Sequence, residues 1–339
     1  MRNVLVCVCI IIGTIIGAGF ASGQEIISFF NRFGECGFYG ILLACALFGV
    51  ISIVVICLVK KNHINSYKEL VNGNQFITIF MEVFSFVCFC IMLAGIGAFI
   101  QEVFDLPYFV CSIIAGLICA LMLLMKFSGM EKVNSILVPL IIIGILLLGV
   151  KQYDSSDFQW SGDYIVPPSF TNSWIVSSVL YASYNTLILL PVLTNFESYK
   201  LSKFQILIIG ITISVFLSIM ALIIYNICDV FYPQIMSVEL PTLRLAMMNG
   251  KFVSVFYSVV ILASILTTAF STGYSFLCMK NIKNYNRNVI TICVFAVMFS
   301  EIGFSNLINT LFPLFGYIGI LQIVLVLIMQ MKKGYNRKG

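Results

Sequence analysis

Ten apolar segments follow one another along the chain, at approximately 3–31, 37–59, 76–101, 107–125, 132–150, 172–196, 204–228, 252–279, 288–304 and 306–331. A helix needs roughly 17–25 apolar residues to cross about 30 Å of hydrocarbon, and these segments meet that length. The pattern predicts an all-α integral membrane protein with ten transmembrane helices. Only short polar connectors separate the segments, so residues 1–339 read as a single transmembrane domain with no soluble part. Composition agrees: 10% of the residues are charged and 60% hydrophobic, where soluble domains carry roughly 25% charge.

Lysine and arginine set the expected orientation. If the segments alternate, fifteen of the 19 basic residues share the side that holds Arg2, Lys60, Lys61, Lys200, Lys203 and both chain ends. Only Arg32, Lys151, Arg244 and Lys251 fall on the other side, where Glu102, Asp105, Asp154, Asp157, Asp163, Asp229 and Glu239 collect. Both termini are therefore expected in the cytoplasm of a multi-pass protein of the cell (plasma) membrane, the inner membrane in a bacterium. Two outer connectors are long. One, 151–171, contains Pro167 and Pro168; the other, 229–251, holds "VELPTLRLAMMN", which predicts a short helix over the outer mouth. This distribution accounts for the net charge of +5 without a nucleic-acid partner. The lipid bilayer and a small solute are the expected partners, and nothing in the sequence speaks to oligomeric state. The twelve cysteines lie mostly inside apolar runs with no metal-like spacing, and read as small hydrophobes. Free thiols are expected rather than a bridge between Cys36 and Cys228.

The first segment contains "IIGTIIGAGFASGQEI". Arg2, an apolar run and small residues imitate a secretory signal, but the helix-like "EIISFF" that follows would then be stranded outside. As a retained helix rising about 1.5 Å per residue, the segment reaches Gly17 after roughly 20 Å, beyond the membrane midpoint. Gly17, Gly19 and Gly23 each weaken a helix by about 1 kcal/mol relative to alanine. They fit close helix packing, but their density, followed at once by Gln24 and Glu25, favours a break. Glu25 would then open the outer half-helix, where negative charge suits the dipole.

The sixth segment, "SSVLYASYNTLILLPVL", places Tyr181, Ser183, Tyr184 and Asn185 mid-run. Ten segments divide into five plus five, a first repeat at about 1–150 and a second at about 172–331. Interrupted helices at the first position of each half of an inverted repeat point to a transporter binding site. The expected substrate residues are Gly17, Ala18, Gly19, Phe20, Ser22, Gly23, Tyr181, Ser183, Tyr184 and Asn185. Free amides at such breaks attract anions, so the solute is expected to carry a carboxylate, as an amino acid does. "IIGAGFASGQEIISFF" and the ten-segment layout resemble the YkvI-type bacterial membrane proteins, grouped with amino-acid permeases of the amino acid-polyamine-organocation superfamily. The resemblance implies a LeuT-type five-plus-five inverted-repeat fold, broken first and sixth helices, and secondary transport.

Sodium-coupled members of that fold hold an ion between the first and eighth helices. The ligands are carbonyls spaced i, i+3 on the first, and a carbonyl and two hydroxyls spaced i, i+3, i+4 on the eighth. The resemblance thus implies Gly13 and Ile16, with Thr268, Ser271 and Thr272 of "ILTTAFSTGYS", as a Na+ site of uncharged oxygens. The same hydroxyls also suit bonds back to their own helix, and spacing alone does not separate the two. Protons are the alternative coupling ion, with Lys132 the nearest amine in the fifth segment. Glu25 and Glu82 are candidate gating or proton-carrying carboxylates, while snorkelling toward the cytoplasm also suits Glu82. Phe89, Met92 and Gly95 of the third segment face the breaks by analogy with the fold. Glu301 is expected at the outer interface, and His63, the only histidine, lies in a basic connector away from any catalytic set. No H-E-x-x-H, G-x-S-x-G or P-loop motif is present, so no enzyme is expected and no cofactor beyond the coupling ion. The sequence therefore reads as a symporter for a small carboxylate-bearing solute. The rival is a non-transporting receptor or channel-like subunit on the same fold.

Overall fold

The computed structural model describes residues 2–125, 130–153, 171–231, 235, 238–279 and 284–336. Most of connector 151–171 lies outside them, as do the side chains of 126–135, Lys132 included. Every regular element is helical: α1 Arg2–Ile15, α2 Ala18–Ala21, α3 Gln24–Phe29, α4 Glu35–Asn62, α5 Tyr67–Leu70, α6 Gln75–Phe104, α7 Tyr108–Leu124, α8 Met130–Tyr153, α9 Trp174–Thr194, α10 Lys203–Val230, α11 Pro241–Met248, α12 Lys251–Met279, α13 Tyr285–Ser300 and α14 Phe304–Asn336. Six of these helices, α4, α6, α9, α10, α12 and α14, are long and apolar enough to cross a membrane, and α1, α7 and α8 carry shorter apolar stretches. Val83, Leu117, Ile211, Val255 and Met298 are among many large apolar side chains exposed on the outside of the bundle. In water such a surface would aggregate; in a bilayer it is solvated.

Polar residues mark where the helices start and stop. Asn74 Oδ1 accepts from Phe76 N at 3.0 Å to open α6, and Ser202 with Gln205 forms a reciprocal capping box at α10. Residues at α-helix ends with positive φ, His63 and Asp105, close α4 and α6.

Contacts between connectors sort into two ends of the bundle. At one end Lys60 donates to the carbonyls of Glu197 and Tyr199, Asn62 donates to Gln330 and Tyr285 to the Leu123 carbonyl. At the other end Arg32 donates to the Thr171 carbonyl, Tyr108 to the Ser300 carbonyl, and Arg244 pairs with Glu102 at 3.0 Å. Successive long helices thus run in alternating directions. The main seams join α4 to α10, α9 to α14, α6 to α12 and α7 to α13, with α1 against α10 and α9. Glycines bring the backbones together there. A Cβ at Gly49 of α4 would collide with Ser214 and sit 2.6 Å from the Gly210 carbonyl of α10, and one at Gly210 would sit 2.9 Å from the Gly49 carbonyl.

The first segment is interrupted as expected, but the sixth is not. Helix α9 runs unbroken through Tyr181, Ser183, Tyr184 and Asn185. Their polar groups serve their own helix: Ser183 Oγ donates to Val179 O at 2.7 Å, Asn185 Nδ2 to Tyr181 O at 3.2 Å and Thr186 Oγ1 to Ala182 O at 2.7 Å. The segment has no glycine, so nothing relieves the backbone from the right-handed helical region. Phe89 packs on Gly273 of α12 and Gly95 on Phe304 of α14.

Leucine at Gly49 or Gly210 is expected to lower stability by about 1–3 kcal/mol through overpacking. The thermal unfolding midpoint of the detergent-purified protein reads this. Leucine at the outward-facing Val50 should leave the midpoint unchanged.

Candidate functional site

The site is built on the interruption of the first segment. Helix α1 ends at Ile15, Gly17 is extended with φ −98° and ψ −167°, α2 lasts four residues, and Gly23 turns left-handed with φ 75° before α3 begins. The three glycines do three different things. Only Thr268 Oγ1 lies within 4 Å of a Cβ placed on Gly17, at 3.9 Å, so Gly17 keeps the backbone open toward α12. A Cβ on Gly19 would land on the carboxyl of Glu25, which folds back across the turn onto the Gly19 backbone. A Cβ on Gly23 would lie 2.8 Å from Thr242 Cγ2 and 3.4 Å from Cys228 Sγ, and its positive φ suits glycine. Gly23 makes the turn and the close packing against α10 and α11.

In hydrocarbon, backbone groups released by a break need protein partners. Ala21 O accepts from Thr242 Oγ1 at 2.8 Å and from Tyr257 OH at 2.9 Å, while Ser22 O accepts from Thr242 N at 3.1 Å. Ser22 Oγ donates to Gly19 O at 3.0 Å, and Ser177 Oγ donates to Phe29 O at 2.8 Å at the far end of α3. Each such bond spares about 1–3 kcal/mol of unmet burial. Helices α11, α12 and α9 therefore hold the interruption open from three sides. The start of α3 is tied further: Gln24 Nε2 donates to Ser305 Oγ at 2.5 Å, and Ser305 N donates to Glu239 at 2.5 Å. Burial pushes the Glu239 carboxyl above its usual range, while the amides of Ser305 and Phe304 pull it back down.

Other backbone groups at the break stay unpaired. The amides of Ala18, Gly19 and Phe20 have no acceptor among the described residues, and the carbonyls of Gly13 and Ile16 have no donor. Ala18 and Phe20 are themselves buried. The three amides are the first-turn amides of α2, which no helix bonds internally.

Helical spacing carries the side chains to the same place. Glu25 and Phe29 lie one turn apart on α3, and Tyr181 and Tyr184 one turn apart on α9. The Phe29 ring is 5.2 Å from Tyr181 and 5.6 Å from Tyr184, the two tyrosine rings are 5.5 Å apart, and Tyr184 stacks on Phe312 of α14 at 4.6 Å. Glu25 is 6% exposed, Tyr181 2% and Tyr184 1%. Both phenols turn toward the Glu25 carboxyl, yet Glu25 Oε2 and both phenol oxygens complete no well-formed hydrogen bond. An unpaired carboxylate in such surroundings is costly by several kcal/mol. Ser183 is not part of this cluster; its backbone packs on Gly319 of α14. Asn185 stays within α9, donating to the Tyr181 carbonyl. Glu82 is half-buried on α6, makes no ion pair among the described residues and is not joined to the cluster.

The hydroxyl ladder of α12 faces the break through Thr268. Thr268 Oγ1 donates to Ser264 O at 2.9 Å, Ser271 Oγ to Thr267 O at 2.8 Å and Thr272 Oγ1 to Thr268 O at 2.8 Å. Each hydroxyl uses its proton and keeps its lone pairs, so the back-bonded and ion-binding arrangements are compatible. Gly13 packs against Val138 of α8, with a built Cβ 3.2 Å from Val138 Cγ2, which leaves its carbonyl as the usable group. Sequence reasoning did not single out Thr242, Tyr257, Ser305 or Phe312. They come from distant segments, and only the "VELPTLRL" helix offered a hint.

No family model matches the chain. The uncharacterised membrane protein YkvI of Bacillus subtilis is 27% identical over 326 residues, 91% of each chain. Among solved structures, MhsT in complex with L-phenylalanine superposes with a TM-score of 0.62 at 14% identity, covering 96% of this chain and 86% of that one. A Na+-coupled sialic acid symporter gives 0.53 at 17% identity, covering 87% and 71%. The chain is a homologue of the YkvI membrane protein, and its helices adopt the LeuT-type fold of secondary transporters.

Proposed function

We propose that this protein is a secondary active symporter for a small carboxylate-bearing solute, an amino acid or a close relative, working by alternating access. One observation carries the reading: the buried break in the first segment leaves the amides of Ala18, Gly19 and Phe20 without backbone acceptors among the described residues. Backbone amides converging on an open position favour a carboxylate. The solute would lie between the Gly17–Gly23 turn and the Tyr181–Tyr184 face of α9. Ten spans in two repeats, about 1–150 and 172–331, follow if α1 to α3 count as one span. The pairing of α1 with α9, α4 with α10, α6 with α12 and α7 with α13 supports this, since each joins a helix to the one five spans later. Both termini are then cytoplasmic in the bacterial inner membrane. MhsT binds L-phenylalanine and the sialic acid symporter is Na+-coupled, which supports a carboxylate solute and sodium as the coupling ion.

Gly13 O, Ile16 O, Thr268, Ser271 and Thr272 are the oxygens that would hold sodium, a set without formal charge that suits a monovalent hard cation. Linkage then requires sodium and solute each to tighten the binding of the other. Three outcomes test the reading. Among the twenty amino acids, at least one should raise the unfolding midpoint of the purified protein more in sodium than in potassium. The S271A/T272A double variant should lose that difference, and solute binding that ignores sodium in the parent would remove the ion assignment. A reporter fused after Gly339 should be active only on the cytoplasmic side; activity on the outer side would reverse the orientation.

A further inference from the structure

Resting on the alternating access proposed above, we infer that Gln330 bolts the connector between α4 and α6 to the last long helix. Helices α4, α5 and α14 then move as one body, and Asn72 and Gly73 form the hinge between that body and α6. Gln330 has no exposed surface, although it lies in the last turns of α14. Its amide nitrogen donates to Leu70 O at 2.6 Å, to Glu69 O at 3.1 Å and to Asn72 Oδ1 at 3.5 Å, and its side-chain oxygen accepts from Asn62 Nδ2 at 3.1 Å. Asn62 Nδ2 also reaches the Gln330 backbone carbonyl at 3.1 Å. One side chain thus joins the end of α4, the end of α5 and α14. Gln322, earlier on α14, donates to Tyr67 OH at 2.5 Å and holds the start of α5. Lys60 ties the same end of α4 to the Glu197 and Tyr199 carbonyls that follow α9. Breaking this set would leave buried amides and carbonyls without partners at several positions at once, which makes it a rigid joint.

The chain past the joint is built differently. Val71 and Ile77 are buried, but every residue from Asn72 to Phe76 is exposed. Apart from the longest of the Gln330 contacts, the bonds made here are local: Asn72 N donates to Glu69 O, Gly73 N to Lys68 O and Asn74 N to Val71 O, while Asn74 Oδ1 caps the first amides of α6. Asn72 and Gly73 both have positive φ, 50° and 67°, and a Cβ on Gly73 would meet nothing within 4 Å. Hinges are a few element-terminal residues that absorb a backbone change, and this stretch can do so without unpacking a neighbour. The helices on its two sides have different partners. Helix α4 packs on α9 and α10, α6 packs on α7 and α12, and among the described residues no seam joins α4 to α6. Where α6 meets α14 inside the bundle, Phe80 and Phe84 touch Phe315 through ring contacts, which are non-directional and can slide. Two consecutive spans without a shared seam turn relative to one another at their connector, and Gln330 confines that freedom to its last residues.

The test uses the full-length purified protein in lipid nanodiscs, without added solute, in sodium and in potassium. Spin labels on genetically encoded side chains, which leave the native cysteines unlabelled, replace the exposed Lys68, Val83 and Met331 in pairs. Electron paramagnetic resonance should give one narrow distance distribution for the 68–331 pair in both salts, and a broad or two-component one for the 68–83 pair. Q330A should broaden the 68–331 distribution and speed hydrogen exchange at the Leu70 and Val71 amides at least about tenfold, with the α6 amides beyond Thr78 at parental rates. N62A, which removes the two bonds that Asn62 gives to Gln330, should produce a smaller change of the same sign and serves as the readout if Q330A does not fold. A broad 68–331 distribution in the parent, or parental exchange at Leu70 and Val71 in the variants, would overturn the joint. One narrow distribution for both pairs in both salts would overturn the hinge. The transport reading is tested separately by amino-acid binding, which this experiment does not use, so the two can fail independently.

Discussion

The hydrogen bonds that Thr242 and Tyr257 give to Ala21 are the interaction on which the rest of the structure depends. A polypeptide can leave the helix inside a membrane only where other protein groups take up its backbone. Here α11 and α12 do so, with Thr242 serving both the Ala21 and Ser22 carbonyls. Once those carbonyls are held, the amides of Ala18 to Phe20 and the carbonyls of Gly13 and Ile16 are left without backbone partners among the described residues. Gly23 turns the chain so that α3 returns Glu25 onto Gly19. The site is therefore a consequence of satisfied bonds on one side of the break and unsatisfied ones on the other.

A second set of contacts ties the outer elements together. Glu239 of the connector before α11 binds the amide of Ser305 at the start of α14, and Gln24 of α3 reaches the same serine. The outer half of the first segment, the short helix over the site and the last long helix are thus tied at one point. Arg244 on α11 adds a tie to Glu102 at the end of α6.

Much of this was legible in the sequence because glycine and hydrophobic periodicity are local signals. The apolar segments predicted the helices to within a few residues, and "GAGFASGQE" announced an interruption because three glycines in seven residues are hard to reconcile with a continuous helix. The supposed break at Tyr181 to Asn185 was misread for a physical reason. Hydroxyl and amide side chains can bond to their own helix as readily as they can interrupt it, and without glycine the first outcome prevails. The grouping of Glu25 with Tyr181 and Tyr184 was visible only as separate fragments. Their i, i+4 and i, i+3 spacings place each pair on one face, but which faces meet is decided by packing between segments roughly 150 residues apart. Tyr257 carried no signal of its role, since a tyrosine in an apolar run is ordinary, and Thr242 was marked only by the short helix predicted around it.

An electron cryomicroscopy structure in lipid nanodiscs, with the amino acid that stabilises the protein most, tests the central claim most directly. The account predicts a first helix that ends near Ile15, an Ala21 carbonyl held by Thr242 and Tyr257, and ligand density between the Ala18–Phe20 amides and Glu25. A continuous helix from Arg2 to Phe29, or ligand density away from that turn, would contradict it.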